Sequence, residues 1–198
     1  MLIGAASGLA LTGAGLAGMR LTQGPDPFFG YSGQVAPDDP AQTQLDAPLL
    51  IEHPAADLLL FAEFSLTALV LSARAYRRDQ LSAVSPLDLA LAWGPASDPR
   101  SFRKIEYRQR DRWYVYRSRE PIPQRVHYSS SNMHMIPRDA AVERALMAVR
   151  TGDLVRLAGH LCDVRFAGVP VIRSSRSRTD RDGGACEIVL VGSVEIIA

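Results

Sequence analysis

The chain has 198 residues, 47% of them hydrophobic and 22% charged, with a net charge of +1. That composition excludes a disordered or collagen-like chain and allows one domain with its own core plus an appendage. Two cysteines, Cys162 and Cys186, without a Cys-x-x-Cys pair, exclude a disulfide scaffold and supply no zinc or redox motif. A single bridge between them remains open if their strands are neighbours. Residues 1–100 hold 5 Arg against 10 acids, and residues 101–198 hold 17 basic residues against 11 acids. Apart from Lys104 every basic residue is Arg, a bias that fits codon usage better than a binding surface.

Residues 1–19 carry no charge. As a helix they would span about 28 Å, close to the ~30 Å hydrocarbon thickness of a bilayer. The segment reads as a membrane anchor, with a cleaved signal peptide as the alternative although no basic residue precedes the apolar run. Gly13, Gly15 and Gly18 spell a G-x-G-x-x-G loop by chance, because no strand precedes them. Leu16-Ala17-Gly18 resembles a lipoprotein cleavage box, but Met19 stands where the lipid-bearing Cys belongs. Residues 22–57 contain six prolines and no apolar period, which predicts an extended tether.

The domain is expected over 58–198. Phe64, Leu66, Ala68 and Val70 alternate as in a buried strand. Ser85-Pro86 predicts the start of a short helix carrying Leu87, Leu89, Ala90 and Leu91 to Trp93-Gly94-Pro95, and Asp98-Pro99 predicts a second. Residues 112–117 are aromatic and β-branched, hence a strand, with Trp113 and Val115 toward the core and Arg112, Tyr114 and Tyr116 outward. A further strand is expected over 124–128. From Asp139 onward, Ala141, Val142, Ala145, Leu146 and Val149 fall at helical spacing, and Gly152 ends the helix. Three β-rich segments follow, over 154–166, 169–174 and 185–197. The fold class is therefore α+β with a mostly antiparallel sheet, a small OB-like barrel among its forms, a few short helices and an N-terminal membrane helix.

Two polar stretches stand out, 129–137 and 174–187. Each contains one reactive side chain, His134 and Cys186, and each is flanked by core-like residues. Polar segments beside a core need partners, so the two are expected to meet, with Asn132 or His134 bonded to Ser174, Ser175 or Thr179 and Arg178 closing against Asp180 or Glu187. An enzymatic reading pairs Cys186 as nucleophile with His134 as base and Asn132 or Asp180 as orienter, in a cationic field from Arg176, Arg178 and Arg181. The structural alternative makes Cys186 a small packed hydrophobe and His134 a buried, backbone-bonded ring. A metal site from His127, His134, His160 and the acids at 180 and 182 lacks ligand spacing. The Arg- and Tyr-rich stretch 103–128 has the residue types for nucleic acid or glycan, yet a solvated sheet face explains it as well.

Residues 71–76, 85–94, 131–137, 152–159 and 184–187, taken with 36–42, resemble a family of uncharacterised proteobacterial envelope proteins. The resemblance covers about 36–198 and implies an N-terminal membrane segment, a proline-rich tether and one domain, with no catalytic assignment. The combined expectation is a non-enzymatic accessory module, held at the inner membrane by residues 1–19 and facing the periplasm. It would bind a protein partner or small ligand through Asn132, His134, Ser174, Ser175, Arg178 and Asp180. No cofactor is implied, and nucleic acid is an unfavoured partner.

Overall fold

A computed structural model describes residues 33–177 and 185–198. Strand β2 (Ala56–Ala75), 20 residues long, is the element to which the other sheet strands are referred. Its inward side chains, Leu58, Leu60, Ala62, Phe64, Leu66, Ala68 and Val70, are all buried. Its N-terminal half lies between β1 (Ala41–His53) and β7 (Leu154–Arg165), and its C-terminal end pairs with β3 (Leu87–Ala92). Register shifts at Leu60/Ala62 and at Val70/Ser72 mark bulges, which bend a strand and sharpen its twist.

The bend closes the sheet. β3 pairs with β6 (Ser130–Pro137), β6 with β8 (Glu187–Ile196), β8 with β7, and β7 returns to β2. Only β6–β8 is parallel among these pairings. Leu89, Leu91, Met133, Met135, Val155, Leu157, Leu161, Val189 and Val191 fill the interior with at most 1% exposure each. Burying a side chain of this size is worth roughly 1.5–3 kcal/mol. Helix α3 (Ala140–Ala148) lays Val142 and Leu146 on this core, and the Asp139 carboxylate caps it by accepting from the amides of Ala141 and Val142. The architecture is α+β with a mostly antiparallel sheet and few short helices, as the composition and periodicity predict.

Several elements differ from expectation. Residues 87–92 form β3 rather than a helix, because Leu87, Leu89 and Leu91 repeat at period two and meet open edges of both β2 and β6. The Ser85 hydroxyl bonds to Leu87 O instead of capping a helix. The expected strand at 124–128 is one turn, α2 (Gln124–His127), begun after Pro123. Residues 41–53, assigned to the tether on their prolines, are β1 and pair with β2. The proposed membrane helix at 1–19 lies outside the described residues. Among those described, no helix is long and apolar enough to cross a membrane.

A hairpin covers one outer face of the closed sheet. Helix α1 (Pro99–Lys104), capped by Asp98, leads into β4 (Ile105–Arg110), which turns through Asp111-Arg112 into β5 (Trp113–Ser118). Both turn residues have positive φ, 52° and 66°, as a two-residue turn matching strand twist requires. The side chains point opposite to expectation: Trp113 and Val115 are exposed, while Tyr107, Tyr114 and Tyr116 pack on Leu71, Ala90 and Ala92. The alanines on β3 leave room for the tyrosine rings, which stack at 5.9 Å between Tyr107 and Tyr114. This underside was not visible from the hairpin sequence.

Gly159 sits at the β7–β8 register shift, and a Cβ there would lie 2.0 Å from Leu190 O. Gly159→Ala is expected to lower the unfolding free energy by roughly 1–3 kcal/mol, the cost of forcing backbone apart in a packed sheet, as measured by urea denaturation.

Candidate active site

The register of β3 and β6 creates the site. Asp88 lies directly across from His134, and Ala90 across from Asn132, all on the outer face under the hairpin. The parallel register of β6 and β8 places Met133 beside Glu187, so Cys186 enters next to Asn132. Asp88 has no exposed surface. Its Oδ1 accepts from Arg112 Nη1 at 2.5 Å and meets His134 Nδ1 at 2.9 Å, while Oδ2 accepts from Asn132 Nδ2 at 3.4 Å. Three polar partners therefore converge on one buried carboxylate, the condition under which a charge is tolerated away from water.

Arg112 reaches this carboxylate from the hairpin tip. Its Nη2 donates to Asp79 Oδ1 and to Ser85 O, both at 2.9 Å, and its guanidinium lies 4.0 Å from the Tyr76 ring centroid. A non-glycine residue at positive φ is strained and persists where its surroundings over-determine it; these contacts do so for Arg112. Gln109, also on the hairpin, donates Nε2 to Asn132 Oδ1 at 2.6 Å. Asn132 Nδ2 in turn approaches Cys186 Sγ at 3.8 Å.

The ring of His134 is bonded through Nδ1 to Asp88, and Cys186 is near enough to act on it electrostatically. Burial pulls its pKa down, but hydrogen bonds and charge from Asp88 and Cys186 outweigh burial and push it up to about 9. The imidazole is thus favoured as a protonated cation at neutral pH, beside the Asp88 carboxylate. Cys162 is a contrast. It is fully buried in β7, and burial pushes its thiol up to about 12. Both cysteines are free thiols, and Cys186 is the partly exposed one.

Cys186 opens into a pocket of about 130 Å³. Ser130, Ser131 and Asn132 of β6 and Glu187 of β8 supply its polar floor, and Trp93, Trp113, Tyr114, Tyr116 and Tyr128 its walls. The Ser131 hydroxyl donates to the buried Glu187 carboxylate. Tyr114 donates to Ser130 Oγ at 3.2 Å, and Tyr116 OH lies 2.5 Å from His127 Nδ1. Among the described residues, no Arg or Lys lines the pocket.

Among the described residues, 129–137 meets the end of 174–187 at Cys186 and Glu187, through the β6–β8 pairing and the bond from the Ser131 hydroxyl to Glu187. Asn132, His134 and Cys186 come together, but Asn132 and His134 take their partners from β3 and the hairpin. Ser174 instead ties Asp163 to β8: its amide donates to Asp163 Oδ1, and its hydroxyl accepts from Ile188 N. Ser175 Oγ bonds within its own turn, to the carbonyl and amide of Ser177. Arg178 and Asp180 lie outside the described residues. Asp88 and Arg112 were missed. The signal for Asp88 was present, since Leu-Asp-Leu-Ala-Leu-Ala alternates and aims Asp88 at the face opposite the leucines. No three His, Cys, Asp or Glu side chains among the described residues group to hold a metal ion.

Comparisons with protein-family models, curated proteins and solved structures return no match for this chain.

His134 makes a pH prediction. Its folded pKa of about 9 lies above the ordinary 6.5. Folding therefore favours the protonated ring, and its stabilisation is complete below 6.5 and lost as pH rises through about 9. Unfolding free energy should fall across that window, and His134→Gln should flatten the fall. In Asp88→Asn the His134 ring, followed by NMR titration, should titrate at lower pH than in the unaltered protein.

Proposed function

We propose that the pocket over Cys186 is a thiol-dependent acyl-transfer site, a cysteine hydrolase or transferase in which Cys186 is the nucleophile, His134 the proton carrier and Asp88 the positioning carboxylate. One observation carries the reading: buried Asp88 is bonded to both His134 and Asn132, and Asn132 Nδ2 lies 3.8 Å from the sulfur of Cys186, the cysteine that lines the pocket. Nucleophilic catalysis requires a nucleophile, a base near it and an orienter on the base, and this cluster supplies a residue for each.

With the thiol proton already on His134, the attacking species is a thiolate beside an imidazolium. The thiolate attacks a carbonyl carbon, the new C–S bond forms, and the C=O pair moves to oxygen. When the tetrahedral adduct collapses, the bond to the leaving group breaks and that group takes its proton from His134. Water or another acceptor then loses a proton to the neutral ring as it attacks the thioester, and the thiolate is released. Asp88 holds the ring in one orientation and stabilises its cationic form, while Arg112 and Asn132 hold Asp88.

The strand ring, with one parallel pair, supports an OB-like reading of the barrel, an architecture whose second and third strands carry the ligand face. Here those strands are β3 and β6, and they bear Asp88, Asn132 and His134. The hairpin lies across that face, which argues against an oligonucleotide running along it. Without the transfer step, the same pocket serves as the binding site of a partner or small ligand.

Incubation with p-nitrophenyl acetate should release nitrophenol and leave an acetyl adduct on Cys186, read by peptide mass spectrometry. Cys186→Ser should lose the adduct, and His134→Gln should slow its formation by roughly 10²–10⁴-fold, the usual contribution of a positioned acid–base group. An alkylation rate for Cys186 by iodoacetamide that is unchanged in His134→Gln, with no acyl adduct, sinks the reading.

We further propose that the domain stands outside the inner membrane, held by residues 1–19. The support is the uncharged length of that segment and the prolines that follow it. Fractionation of cells should recover the chain with inner membranes, exposed to protease only after the outer membrane is opened; recovery in the cytoplasmic fraction counts against it.

A further inference from the structure

The walls of the Cys186 pocket narrow what can occupy it. We propose that it takes one flat, uncharged aromatic ring, so that the carbonyl offered to Cys186 belongs to an aryl or arylalkyl acyl group. The substrate part of this statement rests on the acyl-transfer reading above; the ring part does not.

Size comes first. The pocket measures about 130 Å³, and an apolar protein cavity of about 150 Å³ holds benzene. One ring fits, and a chain of linked rings does not. The walls come second. Trp93, Trp113, Tyr114, Tyr116 and Tyr128 all line the space. Trp113 is 53% exposed at its mouth, so a ring entering there would remove indole surface from water and gain stacked or edge-to-face contact.

Hydrogen bonding decides between an aromatic ring and a sugar, which both stack on such walls. The hydroxyls around the pocket are already engaged with protein: Tyr114 with Ser130, Tyr116 with His127, Tyr128 with Gln124, Ser131 with Glu187. A sugar would bring several hydroxyls into a space whose own hydroxyls already have protein partners, and each one left without a partner costs about 1–3 kcal/mol. An aromatic ring asks for none. Charge weighs against a third class, because among the described residues the lining has the Glu187 carboxylate and no Arg or Lys. Phosphate and carboxylate groups would meet repulsion without a counter-charge on the walls.

The test uses the full chain, with benzamide as a non-reacting ring probe followed by tryptophan fluorescence. Benzamide should change the fluorescence saturably in the unaltered protein and equally in Cys186→Ser. Trp113→Ala should weaken it roughly threefold to tenfold, the worth of one aromatic contact, with Trp113→Tyr recovering most of the loss. Both variants should keep the melting temperature of the unaltered protein, since Trp113 is half-exposed. In turnover, a benzoyl or phenylacetyl thioester should exceed the acetyl thioester at least tenfold in kcat/KM. Saturable binding of N-acetylglucosamine or inorganic phosphate in place of benzamide, or no benzamide response, overturns the ring proposal. Benzamide binding with no acyl adduct on Cys186 leaves the ring proposal standing and removes the acyl-transfer reading. Equal turnover of acetyl and benzoyl thioesters without benzamide binding does the reverse.

Discussion

The Asp88 carboxylate, sealed from solvent on the outer face of β3, is the group to which three side chains from two other parts of the chain are fastened. His134 and Asn132 reach it from β6, and Arg112 from the tip of the covering hairpin. A carboxylate transferred from water without partners would cost far more than one domain's net stability. The hairpin is therefore not optional to this face. If it lifts, Arg112 leaves and Asp88 loses a charge-assisted bond together with the cover that excludes water. Hairpin position, Asp88 charge and His134 protonation are one coupled arrangement.

The outer face of β3 and β6 divides into two zones, and the division follows from side-chain size. At the end nearer the hairpin strands, Ala90 and Ala92 are small and accept the tyrosine rings of β4 and β5. At the end nearer the hairpin tip, Asp88 and His134 are polar and accept Arg112. The same hairpin thus presents apolar rings to alanines and a guanidinium to a carboxylate. Each match removes a penalty that the other pairing would incur: a buried unpaired charge in one case, a cavity beside an alanine in the other. Hydrophobic area holds the hairpin down, and the ion pair fixes where its tip rests.

The pocket exists because the hairpin does not cover the whole face. Cys186 emerges where β8 begins beside β6, at the margin left by β5, and so meets solvent while its neighbour His134 stays buried. In the acyl-transfer reading proposed above, a thiol at such a boundary combines access with a cationic neighbour, the surroundings in which reactive cysteines are found. Cys162, on β7 with 0% exposure, has no such boundary. Two cysteines of one chain thereby differ in chemistry for reasons of position alone.

Much of this was readable from residues. The alternation of Phe64, Leu66, Ala68 and Val70 determined a buried strand, Asp139 and the 3.6-residue spacing after it determined α3, and the polarity of 129–137 and 174–187 required that they meet. Local rules failed where two local signals competed. Ser85-Pro86 is a good helix start, but the period-two leucines behind it found two strand edges to join, and pairing with both outweighed capping. The same competition converted 41–53 from tether to β1. Which face of β5 is inward, and that the carboxylate bonded to His134 is Asp88, depended on register between strands, with 46 residues separating that pair in sequence. A cross-strand register is set by the packing of the whole closed sheet, and no window of the sequence contains it.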